Sequence, residues 1–370
     1  MDNMKRVFPW LFLFSILWIY QVPAQHTSNY NDNWCFTNFN TLKFTSGSPV
    51  NVAGCPLDDA NYGSSSNAVE GVSSISDGNG NLLFYSDGMT VYDATNTAMP
   101  NGNGNLNGFY TATSSTLITK VPGSCTEYYI FQLSKYLTLS NRLYYSMVDM
   151  SLVGNGTGPS PLGDVVSGTI NIPLNSDTLA EKMVAIQKGV TENYWIVLRS
   201  AVKDVFYAYE VDRFGINAVP ISSVVSGATY PPPPSAGSPQ SPFAGWLAVS
   251  PQNDAIAEVG GLGHSFLYDF NSLSGSVTNQ DTLVASIFTS PAAPYELIYG
   301  IEFSPNGQYI YLGANTSASS TIIEILQFDR SAGFGNVKGT RVQTSIVSSA
   351  SSESVGTMSL AKDGKIYFVT

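Results

Sequence analysis

Charge is scarce in this chain. Asp, Glu, Lys and Arg make up 12% of its 370 residues, about half the usual share. The little charge present leans acidic, with 27 Asp and Glu against 16 Lys and Arg and a net charge of −11. Such a balance cannot assemble a basic surface for a phosphate backbone, so nucleic acid is excluded as a partner. Histidine is scarcer still, with two residues, His26 and His264. His is the most frequent general base and a common metal ligand, so its near absence closes most hydrolytic and metal routes. His264 and Ser265 are neighbours on a strand pattern, and strand neighbours face opposite ways, so they form no catalytic pair. There is no G-x-S-x-G turn and no C-x-x-C pair, which removes the hydrolase elbow and the common zinc arrangement. Asp77-Gly-Asn-Gly-Asn begins like a calcium loop, but Leu82 and Gly88 stand where the loop needs Gly and Glu. The Gly-rich stretches at Gly102 and Gly154 lack the Lys and helix of a phosphate loop. No catalytic residue, metal or cofactor is expected. Helical periodicity is missing too: no stretch of about 12 residues or more carries it.

Long apolar runs are confined to the N-terminus. Lys5 and Arg6 precede an apolar stretch from Val7 to Tyr20, and Val22-Pro-Ala places small residues before a cut after Ala24. This is the plan of a secretory signal peptide over residues 1–24. A spanning helix takes about 20 apolar residues, and Pro9 interrupts this shorter run. The expectation is a secreted or outer-surface protein with no membrane insertion once the signal is removed. Residues 25–33 read as a flexible polar N-terminus. In an oxidising compartment Cys35, Cys55 and Cys125 leave one pair and one over. Cys35 with Cys55 closes the shortest loop and is the first expectation.

Turn formers and β-formers are abundant: 33 Gly, 20 Pro, 21 Tyr and 19 Phe. A turn-plus-strand motif recurs as Ser250-Pro-Gln-Asn-Asp-Ala-Ile-Ala, Ser304-Pro-Asn-Gly-Gln-Tyr-Ile-Tyr and Leu360-Ala-Lys-Asp-Gly-Lys-Ile-Tyr. Ser76-Asp-Gly-Asn-Gly-Asn-Leu-Leu-Phe-Tyr is an earlier copy. The copies return at intervals of about 46 to 66 residues, the length of a four-stranded antiparallel propeller blade with its turns. Leu179–Ile186 is read as a strand in register with the other repeats. The expected fold is all-β: a β-propeller over residues 34–370, seven-bladed in full, with this chain ending inside its last visible blade. Trp34–Phe44 is expected to close the ring against that blade. Residues 46–67 and 100–108 read as loops, the latter flexible. Pro231–Pro234 reads as a stiff connector between repeats.

Several phrases together resemble the N-terminal propeller of large secreted proteins of gliding Bacteroidetes. These are Glu70-Gly-Val-Ser-Ser-Ile-Ser-Asp-Gly-Asn-Gly-Asn-Leu-Leu-Phe-Tyr-Ser-Asp-Gly, Val91-Tyr-Asp, Met99-Pro-Asn-Gly, Tyr145-Ser-Met-Val-Asp-Met, Tyr299-Gly-Ile-Glu-Phe-Ser-Pro-Asn-Gly and Asp363-Gly-Lys-Ile-Tyr. Those proteins end in a gliding-motility-associated C-terminal domain, the sorting signal of type IX secretion. The resemblance implies export to the cell surface or the medium. The sorting domain itself is not in this sequence.

Glu70 and Glu181 precede inner-strand turns at equivalent places, each five residues before Ile75 and Ile186, and Glu302 lies nearby in its own repeat. In a propeller such positions can line the central channel, where they would hold a ligand. The alternative is local capping or pairing within a blade. The expected function is a non-catalytic binding module for a polysaccharide or another surface protein, in adhesion or gliding. The competing reading is an extracellular glycosidase, lyase or lactonase using Glu70 and Glu181 as its carboxylates.

Overall fold

The computed structural model describes residues 31–35, 40–44, 49–53, 55, 57, 70–110, 112–134, 142–175, 177–225, 244–260, 264–284, 295–316, 319–348 and 356–368. The signal segment, His26 and Pro231–Pro234 lie outside the described residues, as does most of the 46–67 loop. Within that loop, Val50–Ala53 is a strand rather than a loop and pairs with Asn40–Lys43.

The described residues form a six-bladed β-propeller of antiparallel sheets, with no α-helix among them. The expected seventh blade is not among them. The first blade has three strands, Ser73–Ser76, Leu82–Ser86 and Val91–Asp93. The second runs Thr116–Lys120, Glu127–Leu133 and Leu143–Asp149, with Asp164–Val165 and Ile172–Pro173 both pairing the third strand. The third runs Leu179–Gln187, Tyr194–Ser200 and Val205–Asp212, and its outer place is shared by Gly215–Ile216 and Ile221–Val224. The fourth has Leu247–Val249, Ala255–Gly260, His264–Asn271 and Ser276–Val284. The fifth has Tyr295–Phe303, Tyr309–Thr316, Ser319–Asp329 and Val342–Ser348.

The sixth position is shared by a terminal hairpin, Met358–Leu360 with Ile366–Phe368, and an N-terminal sheet of Asn33–Cys35, Asn40–Lys43 and Val50–Ala53. Trp34 and Phe44 both pack on Tyr367, with ring centroids 6.0 and 5.6 Å away. Lys362 pairs with Asp32 across the same join. On the other side, Asn33 Nδ2 donates to Ser76 Oγ at 2.8 Å and to the Gly80 carbonyl at 3.0 Å. A disulfide joins Cys35 to Cys55, with Cα atoms 5.6 Å apart.

Four strands per blade hold for the fourth and fifth blades, while the others depart for a local reason. In the first blade the outer place falls to residues 98–108, too rich in Gly, Asn and Pro to extend as a strand. That segment still satisfies the exposed edge: Met99 N–H donates to the Val91 carbonyl and Val91 N–H to the Gly102 carbonyl. The expected flexible loop is therefore pinned.

Second strands are the driest. Every residue of Tyr194–Ser200 and of Ala255–Gly260 is buried, because each lies between two blades. The hydrophobic clusters sit between blades rather than within them: one joins Val197 and Phe206 of the third blade to Ile256 and Tyr268 of the fourth. A single blade therefore leaves both faces uncovered, which makes the ring the stable unit. The repeated turn explains the sequence period. Gly80, Gly307 and Gly364 occupy equivalent turn positions with φ of 80°, 69° and 78°, where a Cβ is disfavoured. Ser304 Oγ accepts from Tyr309 N–H at 2.9 Å, and Ser250 Oγ does the same for Ala255 N–H at 3.0 Å.

Candidate functional site

Inner strands begin near the ring axis, and their first residues converge there. Glu70 precedes the first blade's inner strand, and Thr113 precedes the second's. Glu181 lies early in the third, Gly245 precedes the fourth, and Tyr299 lies within the fifth. Their side chains and amides form one polar cluster. The Tyr299 hydroxyl donates to Glu70 Oε2 at 2.9 Å and shares a hydrogen with Thr113 Oγ1 at 2.6 Å. Thr113 N–H donates to Glu181 Oε2 at 3.3 Å, and Gly245 N–H reaches Thr113 Oγ1 at 3.4 Å. Five blades thus contribute to one assembly.

Backbone fit enforces this convergence. A Cβ on Gly71 would stand 2.3 Å from Ser115 N and 2.5 Å from the Ala112 carbonyl. Gly245 has φ of 136°, and a Cβ there would meet the Val259 carbonyl at 2.2 Å. Gly71 lets the chain close onto the turn that carries Thr113, and Gly245 lets its chain pass tightly along the neighbouring strand of its own blade.

The electrostatics follow from crowding. Glu70 is exposed, yet its carboxyl lies against the Tyr299 hydroxyl of the fifth blade. Desolvation by the surrounding protein raises its carboxyl above the usual range, against the opposing bond from Tyr299. The Tyr299 hydroxyl is held well above its ordinary range, first by burial and then by the Glu70 charge. It stays protonated and acts as a donor. Beside Glu70, Phe109 and Tyr110 stack with centroids 4.7 Å apart, and the Tyr110 carbonyl accepts the Glu70 N–H at 2.8 Å.

Glu302 is placed elsewhere. Its side chain is buried, with Oε1 accepting from Phe303 N–H at 2.8 Å and Oε2 from Leu360 N–H at 3.0 Å. It bridges the fifth blade to the terminal hairpin. Of the three acidic candidates, then, the structure brings Glu70 and Glu181 together and sets Glu302 apart. Asp77 is consumed by its own turn, accepting from Asn79 and Asn81 N–H at 2.8 Å each. Ser265 Oγ accepts from Val284 N–H at 3.0 Å. Among the described residues, no group of three or more His, Cys, Asp or Glu side chains could hold a metal ion.

Sequence reasoning missed Tyr299 and Thr113, although both lie at the inner-strand positions that marked Glu70 and Glu181. It also missed a buried ionic cluster between the third and fourth blades. Lys182 Nζ and Glu258 Oε1 are 2.9 Å apart, with both side chains wholly buried. Tyr268 donates to Glu258 Oε2 at 2.9 Å, and Arg199 Nε lies 3.8 Å from the same oxygen. Arg199 also donates to the Lys203 carbonyl at 2.6 Å and pairs with Asp204 at 3.3 Å. Burial pulls the Lys182 ammonium below its ordinary range, and the Glu258 charge opposes that pull.

The fold and the axial cluster define the class: a β-propeller with a polar assembly at its axis. No protein-family model matches the chain, and no curated protein matches it. Among solved structures, puromycin hydrolase aligns at 11% identity with a TM-score of 0.37, covering 90% of this chain and 46% of that one. Its S511A mutant complexed with PGG aligns with the same score, covering 89% and 46%. The chain thus spans about half the length of those structures. A chain of the mitotic checkpoint complex aligns at 11% identity and a TM-score of 0.41, covering 95% of this chain and 86% of that one. Likeness at this level carries no functional argument. Among the described residues, no helix is long and apolar enough to cross a membrane.

Proposed function

We propose that this protein is a secreted or cell-surface β-propeller that binds, without chemistry, a polysaccharide or a surface protein through the axial cluster. The observation that carries the reading is the meeting of Glu70, Thr113, Glu181 and Tyr299 from four different blades. Carboxylates and hydroxyls fixed in this way match the hydroxyl groups of a sugar, and the stacked Phe109–Tyr110 pair beside them offers an aromatic face to a ring. The signal-like N-terminus and the Cys35–Cys55 disulfide support an oxidising, extracellular setting. The resemblance to propellers of gliding Bacteroidetes supports a place in adhesion or gliding, with export by type IX secretion.

One observation favours the enzymatic reading. A carboxyl raised by burial, as in Glu70, suits a general acid, and Glu181 supplies a second carboxylate. A glycan array followed by calorimetry on the bound hit tests the proposal. Binding without turnover, weakened about tenfold or more by Tyr299→Phe, is the expected outcome. Turnover of the hit, abolished by Glu70→Gln, would replace it with the glycosidase reading.

A further inference from the structure

Hydrogen-bond supply at the ring axis is one-sided. Glu70 Oε2 takes the Tyr299 proton at 2.9 Å, so the hydrogen that Tyr299 and Thr113 share at 2.6 Å comes from the Thr113 hydroxyl. Thr113 N–H is spent on Glu181 Oε2, and Gly245 N–H on Thr113 Oγ1. All four donors of the network are therefore turned inward. Its carboxylates only accept, each with about four lone-pair sites, and Glu70 Oε1 enters no described hydrogen bond. Within the turn that carries Thr113, the Ser114 hydroxyl is 6% exposed and meets no partner among the described residues. A buried group in that state is completed by a ligand or an ordered water. The cluster thus suits a ligand rich in donors.

Charge points the same way. Among the described residues no ion pair engages Glu70. Lys182, which follows Glu181 in the inner strand, is wholly buried and spent on Glu258 at 2.9 Å. Arg199 is sealed in the same seam. The chain as a whole carries −11, so its field draws in cations rather than anions. Beside Glu70, the stacked Phe109–Tyr110 pair offers an aromatic face to a sugar ring, and such a face also attracts a cation.

Given ligand binding at the axis, on which this step rests, we propose that the ligand is a polysaccharide carrying free amines and that Glu70 reads the ammonium charge. A protonated primary amine brings three donors and a positive charge, whereas a hydroxyl brings one donor and none. Acetylating the amine leaves one N–H and removes the charge, so the same polymer should lose affinity. A lysine-rich peptide shares the ammonium but has no sugar ring for the aromatic pair, which favours the polysaccharide.

The test is calorimetry on the full chain at about pH 6, where an amine is protonated, with a glucosamine oligomer and its N-acetylated counterpart of equal length. The free amine should bind about tenfold or more tighter. That preference should vanish in Glu70→Gln, which keeps the side-chain shape without the charge. In the wild type it should shrink severalfold between about 0.05 and about 0.5 M salt. Equal affinities, or a preference that survives in Glu70→Gln, overturn the amine assignment; axial binding itself stands if Tyr299→Phe still weakens the N-acetylated oligomer. Should Glu70→Gln not fold, the salt response decides, and a preference indifferent to salt overturns the assignment. Binding of a lysine-rich peptide with neither oligomer bound overturns the sugar class. A glycan array without a hit that Tyr299→Phe weakens overturns the axial reading as well.

Discussion

Removing Glu258 should harm the protein more than removing Lys182, although the two form one ion pair. The pair is wholly buried, 2.9 Å apart, and breaking such a pair costs about 3–5 kcal/mol because a charge is left without compensation. The two halves are not equivalent here. With Lys182→Met, Glu258 keeps Arg199 Nε at 3.8 Å and the Tyr268 hydroxyl at 2.9 Å, so the loss should sit near about 3 kcal/mol. With Glu258→Gln, Lys182 and Arg199 face each other in a sealed interface, and the loss should approach about 5 kcal/mol. Adding Lys182→Met to Glu258→Gln then removes the repulsion and should recover about 1 kcal/mol or more. Glu258→Gln should also change the pH response. Lys182 loses the charge that opposes its burial, so its folded pKa falls further below the unfolded value. The unfolded chain then binds the extra proton, and the variant's stability rises with pH below the unfolded lysine value. Urea unfolding followed by tryptophan fluorescence reads these differences. Equal losses for the two single variants, or a double variant weaker than Glu258→Gln alone, would refute the reasoning.

Three further outcomes follow from the geometry. Gly71→Ala should cost about 3 kcal/mol or prevent folding, because its Cβ would press to 2.3 Å on the Ser115 backbone, where nothing flexible can yield; thermal unfolding reads it. The Cys35→Ser, Cys55→Ser double variant should lose about 3 kcal/mol, given a sequence separation of 20 residues. Adding reductant to the wild type should lower its melting temperature similarly. Phe214→Ser should leave stability unchanged within about 0.5 kcal/mol, because Phe214 is 83% exposed, and a shift beyond that in urea midpoint would show a contact the ring does not display.

The blades were legible because their turns repeat a local chemistry. Gly80, Gly307 and Gly364 mark the same positive-φ corner, and Ser250 and Ser304 mark the same hydroxyl acceptor, so spacing alone reveals the unit. Glu70 and Glu181 stood out in the sequence for the same reason, since both precede an inner-strand turn. Tyr299 was hidden among many aromatic residues that serve the core. Glu302 was grouped with Glu70 and Glu181 because it lies nearby in its own repeat, but its carboxylate is taken up by the Phe303 and Leu360 amides. Lys182 and Glu258 meet across 76 residues of sequence, and no local pattern announces a contact of that range. Strand number per blade was misread where loops such as 98–108 satisfy an edge by turns rather than by extension.

Ligand binding by the axial cluster is the central claim, and calorimetry with the glycan-array hit tests it most directly. Wild-type chain should bind the hit without consuming it, and Glu70→Gln and Tyr299→Phe should each weaken binding by about tenfold or more. Unchanged affinity in both variants would place the ligand elsewhere on the ring and contradict the account.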